Sequence, residues 1–309
     1  MPRILFVKTS SLGDVVHNCP AVSDAARAVP GVEIDWVVEE PFAPVARMHS
    51  SVRRVITVAV RRWRSALWNP AVWREMRDVR RAIGAERYDA VIDTQSLLKS
   101  ALIASWAHGP RHGLDRASAR EPLAARFYDF PHAVPRELHA VERNRRLAAA
   151  SLGYSPVSLD YGLRRLSPAP DAALVFLTMT SRDDKLWPEQ DWIELGRALA
   201  QSSGRPPVLP WGSEAERLRA ERIAKALPGA RVPPRMTLDQ LGALFASAQA
   251  VVGVDTGLTH LAAALGARTV GIYCGSDPAL TGIHGAPRAV NLGAVGRAPR
   301  IAEVLKALA

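Results

Sequence analysis

Ile4-Leu5-Phe6-Val7-Lys8-Thr9-Ser10-Ser11-Leu12-Gly13-Asp14, near the start of the chain, passes from a short apolar run into a polar turn that contains a glycine. An apolar run without polar alternation is that of a strand buried on both faces, as parallel strands are. Outward from it the pattern repeats. Strand-like runs at Ile4–Lys8, Val32–Glu39, Val55–Val60 and Tyr88–Thr94 alternate with helical periods at Ala21–Val29, Pro70–Ala85 and Leu97–Ala107. Short β-branched runs separated by longer amphipathic stretches make βαβ units, so the spacing predicts an α/β fold with parallel sheet. The pattern weakens over Pro110–His139, where Gly113, Pro122, Pro131 and Pro135 punctuate a loop-rich region before a helix at Val141–Leu152.

Leu163–Ala172, with Pro168 and Pro170, reads as a linker, because proline stiffens it and no apolar period crosses it. The alternation then restarts. Strands are expected at Leu174–Met179, Pro207–Pro210, Ala250–Val254 and Thr269–Tyr273, and helices at Pro188–Gln201, Ser213–Ala226, Leu238–Ser247, Leu258–Leu265 and Ile301–Leu308. Pro188 suits the first turn of a helix, and Thr237 with Gln240 spells a capping box. Two Rossmann-like domains follow, residues 1–162 and 163–309, with the last helix able to return to the first of them.

The 309 residues suffice for sizeable cores, and 40 Lys and Arg against 30 Asp and Glu give a net charge of +10. That balance favours an anionic partner: a substrate, a membrane surface or nucleic acid. Cys19 and Cys274, far apart, build neither a disulfide framework nor a Cys-rich zinc site, and the simplest inference is a reducing, cytoplasmic compartment. The run Ile4–Val7 is too brief for a signal-peptide core, and no stretch approaches the about 20 apolar residues of a membrane span. Much of the positive excess lies between Arg53 and Arg87, where ten arginines face Glu75, Asp78 and Glu86. Within it Arg61-Arg62-Trp63-Arg64, with Trp68 nearby, suits a clamp for a multiply charged acceptor or an anionic membrane face. A solvated basic helix with core tryptophans has the same spelling. No recognised nucleic-acid motif accompanies the charge.

Ligands of open parallel sheets collect beyond the carboxyl ends of the strands, which singles out four loops. The first, Lys8–Asp14, is neither a dinucleotide fingerprint nor a P-loop. Its Asp14 either caps a helix or faces a ligand as a base. In the second, Thr180-Ser181-Arg182-Asp183-Asp184-Lys185-Leu186-Trp187, two hydroxyls, an ammonium and helix-start N–H groups suit phosphate oxygens. A solvated turn with Trp187 packed inward fits equally. The third, Val254-Asp255-Thr256-Gly257-Leu258-Thr259-His260, is an anion pocket by the same logic, or a plain N-cap at Asp255 or Thr256 with His260 satisfied inside the helix. In the fourth, Pro210–Glu216, the carboxylate of Glu216 either meets ribose hydroxyls or belongs to an ordinary helix surface. Metal is poorly supported: the one His-x-x-x-His spacing, His108 to His112, encloses the helix-breaking Gly109-Pro110. Gly-x-Ser-x-Gly is absent, which disfavours a serine hydrolase.

Val7–Asp14, Asp35-Trp36-Val37-Val38-Glu39-Glu40, Arg61–Arg64, Tyr88-Asp89-Ala90-Val91-Ile92-Asp93, Arg182–Lys185 and Val254–His260 occur in an order that resembles the heptosyltransferases of glycosyltransferase family 9 over nearly the whole chain. Within that family the opening loop is similar to the lipopolysaccharide heptosyltransferase I type, and type II spells it differently. The resemblance implies a GT-B fold, two Rossmann-like domains facing a cleft, with the acceptor on the N-terminal domain and the nucleotide sugar on the C-terminal one. It implies inverting transfer of L-glycero-D-manno-heptose from ADP-heptose to the first Kdo of Kdo2-lipid A, without metal or resident cofactor. Asp14 then matches the family's general base and Lys185 the catalytic residue on the donor phosphates, with Thr180 and Ser181 as the neighbouring hydroxyl pair. Ser181 stands where threonine is expected, which keeps the hydroxyl and loses a methyl. Asp255, Thr256, Gly257 and His260 match the donor loop, Glu216 the ribose-binding carboxylate and Met236 a residue against the adenine. Arg61, Arg62 and Arg64 match the loop that meets the phosphorylated acceptor, and Lys8, Ser11, Gly13, Gln95, Lys99, Arg120 and His139 are further acceptor candidates by position. An acceptor embedded in a leaflet implies peripheral docking on the anionic cytoplasmic face of the inner membrane. Two readings compete: a related GT-B transferase with another heptose acceptor or nucleotide sugar, and a non-catalytic anion binder that uses the basic lobe alone.

Overall fold

Parallel strands cannot be joined by tight turns, and the helices between the apolar runs supply the long crossovers they need. The computed structural model describes residues 1–164, 173–203 and 205–309, and forms two compact units, Met1–Arg164 and Arg165–Ala309. In the first unit the chain order is β1 (Arg3–Val7), α1 (Leu12–Ala28), β2 (Glu33–Glu39), α2 (Ala43–Met48), β3 (Val52–Val58), α3 (Val60–Ser65), α4 (Pro70–Gly84), β4 (Ala90–Asp93), α5 (Leu98–Ala104), β5 (Arg111–Leu114), β6 (Phe130–His132) and α6 (Ala140–Leu152). Its sheet runs β3-β2-β1-β4-β5-β6, every neighbouring pair parallel. The second unit has β7 (Leu174–Leu177), α7 (Glu189–Ser203), β8 (Pro207–Val208), α8 (Glu214–Lys225), α9 (Leu238–Ser247), β9 (Ala250–Val254), α10 (Gly257–Ala264), β10 (Thr269–Tyr273), α11 (Pro278–Thr281), β11 (Ala289–Gly293) and α12 (Ile301–Leu308). Its strands, also parallel, order as β11-β10-β9-β7-β8.

Side-chain alternation on β1 explains why its apolar run is unbroken: both faces of the sheet are covered. Leu5 and Val7 enter a cluster with Trp63, Val72, Ile83 and Ile103 from α3, α4 and α5, while the alternate Ile4 and Phe6 are equally buried. Helix α4 begins where its spelling says it should. Pro70 occupies its first turn, and the Asn69 side chain accepts a hydrogen bond from the Ala71 N–H at 2.9 Å.

Several boundaries differ from the sequence expectation. Helix α1 begins at Leu12 rather than Ala21, because Pro20 is tolerated inside it and His17, Asn18, Ser23 and Asp24 are buried along with its apolar residues, which hides the period. The loop-rich stretch holds two short strands, β5 and β6. Pro131 is accommodated because β6 is an edge strand, where a missing N–H costs no ladder bond. Gly113 in β5 leaves room for the Tyr128 ring, atoms of which would lie 2.2 to 2.4 Å from an added Cβ. Of the expected linker, residues 165–172 lie outside the described residues, and Arg164 donates its N–H to the Met48 carbonyl at 2.9 Å within the first unit. Helix α12 buries Val304 in the core of the second unit and packs on α7. Among the described residues no helix is long and apolar enough to cross a membrane.

Helix α6 lies along α1 and is fastened by ions as well as apolar contact. Arg145 Nε donates to Asp24 Oδ2 at 2.7 Å, both groups buried, and Asn144 Nδ2 donates to the His17 carbonyl at 3.1 Å. Removing one partner of a buried pair strands the other charge. Arg145→Ala is therefore expected to lower stability by roughly 3 kcal/mol, and Asp24→Asn with Arg145→Met together by much less. Thermal or urea unfolding of the three proteins checks this.

Candidate active site

Gly253, next to last in β9, sets up a polar cluster in the second unit. An added Cβ there would lie 2.2 Å from Thr259 Oγ1. The first turn of α10 can thus fold directly onto its own strand, and the Thr259 hydroxyl donates to the Val254 carbonyl at 2.7 Å. Asp255 occupies the elbow. Its Oδ2 accepts from Lys185 Nζ at 2.7 Å and from the Ser276 hydroxyl, and its Oδ1 lies 3.2 Å from His260 Nε2. Its carbonyl accepts from Thr180 Oγ1 at 2.8 Å. Three loops at the carboxyl ends of β7, β9 and β10 thereby meet on one carboxylate. Burial pushes the Asp255 carboxyl up, but hydrogen bonds from His260, Lys185 and Ser276 outweigh it and hold the group well below the usual carboxylate range.

The loop after β7 is in part the solvated turn that its sequence allows. Asp183 and Asp184 are exposed, Arg182 pairs with Asp184, and Trp187 is buried with Nε1 donating to the Pro299 carbonyl at 3.2 Å. Lys185 nevertheless turns inward to Asp255, and the exposed Ser181 adjoins Thr180. Thr256 holds the N-cap position of α10 without making a side-chain capping bond, and Gly257 begins the helix. Glu216 is tied down locally: its Oε2 accepts from the Gly212 N–H at 2.6 Å. The same loop is stitched toward half-buried Met236 by Trp211 Nε1, which donates to the Pro233 carbonyl at 2.7 Å.

Ser276 and Gly275 escaped the sequence reading. They follow β10 directly, so the strand-end rule that selected the other loops applies to them too. A Cβ on Gly275 would lie 2.5 Å from the Asp184 carbonyl oxygen, so this glycine permits the turn bearing Lys185 to approach.

In the first unit the strand-end loops also converge. Gln95 Oε1 accepts from the Thr9 and Ser10 N–H groups, each at 3.1 Å, and Lys99 Nζ donates to Ser10 Oγ at 3.1 Å. Buried Asp93 anchors the Gln95 segment, accepting from the Gln95 N–H at 2.9 Å and from the hydroxyls of Ser100 and Tyr128, each at 2.8 Å. Asp14 Oδ2 accepts from the Ser11 N–H at 2.7 Å and the Ser11 hydroxyl at 3.1 Å, while Oδ1 takes part in neither bond. The carboxylate thus fixes the start of α1, beside the half-buried Gly13. Thr9 Oγ1 and Glu39 Oε1, at the ends of β1 and β2, are buried without a hydrogen-bond partner, and burial raises the Glu39 carboxyl.

Several acceptor candidates are load carriers of this loop system. Lys8 is buried, with Nζ donating to the Thr94 carbonyl at 2.8 Å and reaching Asn144 Oδ1 at 3.4 Å, and burial lowers its pKa against the pull of Asp14 and Asp93. His139 is buried at the N-cap of α6, where Nδ1 accepts from the Val141 N–H at 3.1 Å. Arg120 is exposed. The arginine cluster is divided: Trp63 is core, Arg61 and Arg64 are exposed, and the Arg62 guanidinium bridges Glu75 at 2.7 Å and Glu40 at 3.1 Å.

Hydroxyls, an ammonium and a helix start gathered at the carboxyl ends of parallel strands are groups suited to phosphate oxygens, placed where open α/β sheets take their ligands. Residues 76–304 match glycosyltransferase family 9 (heptosyltransferase). Over 291 residues the chain is 48% identical to lipopolysaccharide heptosyltransferase 1 of Escherichia coli K12, covering 92% of this chain and 91% of that one. Its structure is similar to that of E. coli heptosyltransferase WaaC with ADP, with a TM-score of 0.91 at 44% identity and 98% of each chain covered. Against the same enzyme with ADP-2-deoxy-2-fluoro heptose the TM-score is 0.87 at 44% identity, again over 98% of each chain. The chain belongs to glycosyltransferase family 9, the heptosyltransferases, and its two parallel-sheet α/β units are of the GT-B class.

The depressed Asp255 carboxyl carries a consequence for stability. A carboxyl titrating lower in the folded than in the unfolded chain stabilises fully above its unfolded value, about pH 4, and progressively less as pH falls toward its folded value. Asp255→Asn should lower stability at neutral pH by roughly 2–4 kcal/mol, and the gap to wild type should narrow below about pH 4. Unfolding midpoints of both proteins across that range test the sign.

Proposed function

We propose that this chain transfers L-glycero-D-manno-heptose from ADP-heptose to the first Kdo of Kdo2-lipid A, with inversion at the anomeric carbon. The observation that carries the proposal is its similarity, along nearly the full length, to a heptosyltransferase holding ADP-2-deoxy-2-fluoro heptose. The Asp255 cluster supports it with a cation suited to a diphosphate.

In this reading Asp14 Oδ1 takes the proton of the acceptor hydroxyl while Ser11 holds Oδ2. The hydroxyl oxygen bonds to the anomeric carbon from the face opposite the nucleotide. The bond between that carbon and the β-phosphate oxygen breaks, and ADP departs with the electron pair. Lys185 offsets the charge developing on the phosphate, assisted by Thr180, Ser181 and the N–H groups around Thr256 and Gly257. Asp255, with His260, keeps the Lys185 ammonium aimed. Glu216 receives the ribose hydroxyls, exchanging its bond to Gly212 for them, and Met236 lies against the adenine. Gly13, Ser11 and Lys99 border the acceptor sugar; Lys8, Gln95 and His139 hold that border in shape. Arg61 and Arg64, with Arg120, meet acceptor phosphates, and Arg62 keeps Arg61 and Arg64 in place. No metal takes part, and the protein works peripherally on the cytoplasmic face of the inner membrane, where its acceptor resides.

ADP release that requires both ADP-heptose and a Kdo2-lipid A analogue, and that continues in EDTA, is the expected result; release with neither heptosylated product nor acceptor dependence would sink the assignment. Asp14→Asn should slow transfer by about 10²- to 10⁴-fold with donor affinity unchanged, as removal of a general base does. A near-normal rate in a folded protein means another group is the base. Lys185→Ala should weaken ADP binding by roughly tenfold or more, measured by calorimetry.

A further inference from the structure

The turn between α3 and α4 and the start of α4 leave three large apolar side chains in water: Trp68 is 81% exposed, Trp73 56% and Leu67 46%. They form one group, because Trp73 Nε1 donates to the Leu67 carbonyl at 2.7 Å and fastens the turn to α4. The rest of that helix explains why they are not core. Val72, Met76, Val79, Ala82 and Ile83 face the first unit's interior, so Trp73, Arg77, Arg80 and Arg81 fall on the outward stripe. Arg61 and Arg64 on α3 and Arg74 on α4 are exposed beside them. The opposing charge is small: Glu75 is already bridged by Arg62, and exposed Asp78 pairs with Arg81 at 3.4 Å. Exposed indole rings ringed by guanidinium groups match the chemistry of an anionic bilayer surface. Indoles settle at the headgroup level and arginines remain among the phosphates.

We infer that the α3–α4 segment is a membrane-docking surface, in which Leu67, Trp68 and Trp73 enter the interface of an anionic bilayer and the flanking arginines bind its phosphates. The segment follows the carboxyl end of β3, on the strand-end side that also carries Asp14 and Glu39, and Arg62 ties it to Glu40 just beyond β2. The inference rests on the proposed function only for its purpose, which is to bring the base to a hydroxyl that projects from the leaflet. The binding itself needs no sugar substrate.

The test uses the full chain with vesicles of phosphatidylethanolamine and phosphatidylglycerol, compared with vesicles of phosphatidylcholine alone, neither containing a Kdo acceptor. Wild type should float with the anionic vesicles, release at high salt, and lose part of its tryptophan emission when the acyl chains are brominated. Trp68→Ser with Trp73→Ser should bind at least about tenfold more weakly and lose the bromolipid quenching. Trp68→Ser alone, which removes no hydrogen bond of the turn, should show the same direction if the double variant folds poorly. Arg77→Ser with Arg80→Ser should weaken binding by roughly tenfold or more at low salt. Wild-type binding without quenching, or equal binding by wild type and the tryptophan variants, overturns the inference. So does a dimer, formed without vesicles and abolished by the tryptophan variants, in a protein that ignores lipid; the patch would then belong to a second copy. Transfer to a water-soluble, deacylated acceptor is measured on the same preparation. Transfer without vesicle binding defeats the docking inference alone, and vesicle binding without transfer defeats the functional reading alone.

Discussion

A carboxylate out of water must be met by donors, and at Asp255 the donors arrive from three directions. Lys185 and Ser276 come from the loops that follow β7 and β10, and His260 from α10, which follows β9, so the electrostatic need of one side chain fixes the relative positions of three strand ends. The arrangement also holds the Lys185 ammonium in one place. The ammonium has three donors, and one is committed to Asp255. A cluster of this kind is ordered by its own bonds, and preorganised charged groups are the ones effective against developing charge.

The first unit reaches order by a different route. Its central aspartates divide the work. Buried Asp93 is fully engaged with Gln95, Ser96, Ser100 and Tyr128, and through Gln95 it sets the path of the Thr9–Ser10 backbone. Asp14 sits one step further out, with one oxygen bound to Ser11 and the other uncommitted to it. Cap and base are therefore compatible duties of one carboxylate, since the bonds that make it a cap are those that would hold it steady as a base. The two readings that residue spacing leaves open for Asp14 do not exclude each other.

The α/β class and most central strands are legible in the sequence because buried parallel strands announce themselves as unbroken apolar runs, as Ile4–Val7 and Ala250–Val254 do. Edges are not. Residues of β6 and β11 need satisfy only one neighbour and are partly open to solvent, so Pro131 and Asn291 sit in them without betraying a strand. For the site, motif spelling brought out Asp14, Lys185 and the Asp255–His260 loop, but it could not separate residues that would touch a ligand from those that hold the frame. Lys8 and His139 stand among the acceptor candidates by position in the sequence and lie buried in the structure. Ser276 was illegible for the opposite reason: a lone serine after a strand is ordinary until the fold sets it against a carboxylate seventy-odd angstroms of extended chain away.

Gly253 and Gly275 carry no side chain that could meet a ligand. Yet each marks a place where backbone and side chain meet with no room for a methyl group. Close-packed interiors do not absorb such an intrusion locally; they pass it on. An added carbon at either position would be felt as a displaced lysine or a distorted elbow, a loss of electrostatics inflicted by pure volume. The tolerance of this protein to mutation is accordingly set as much by empty space as by charge, and its most fragile positions include two that have nothing to lose but their smallness.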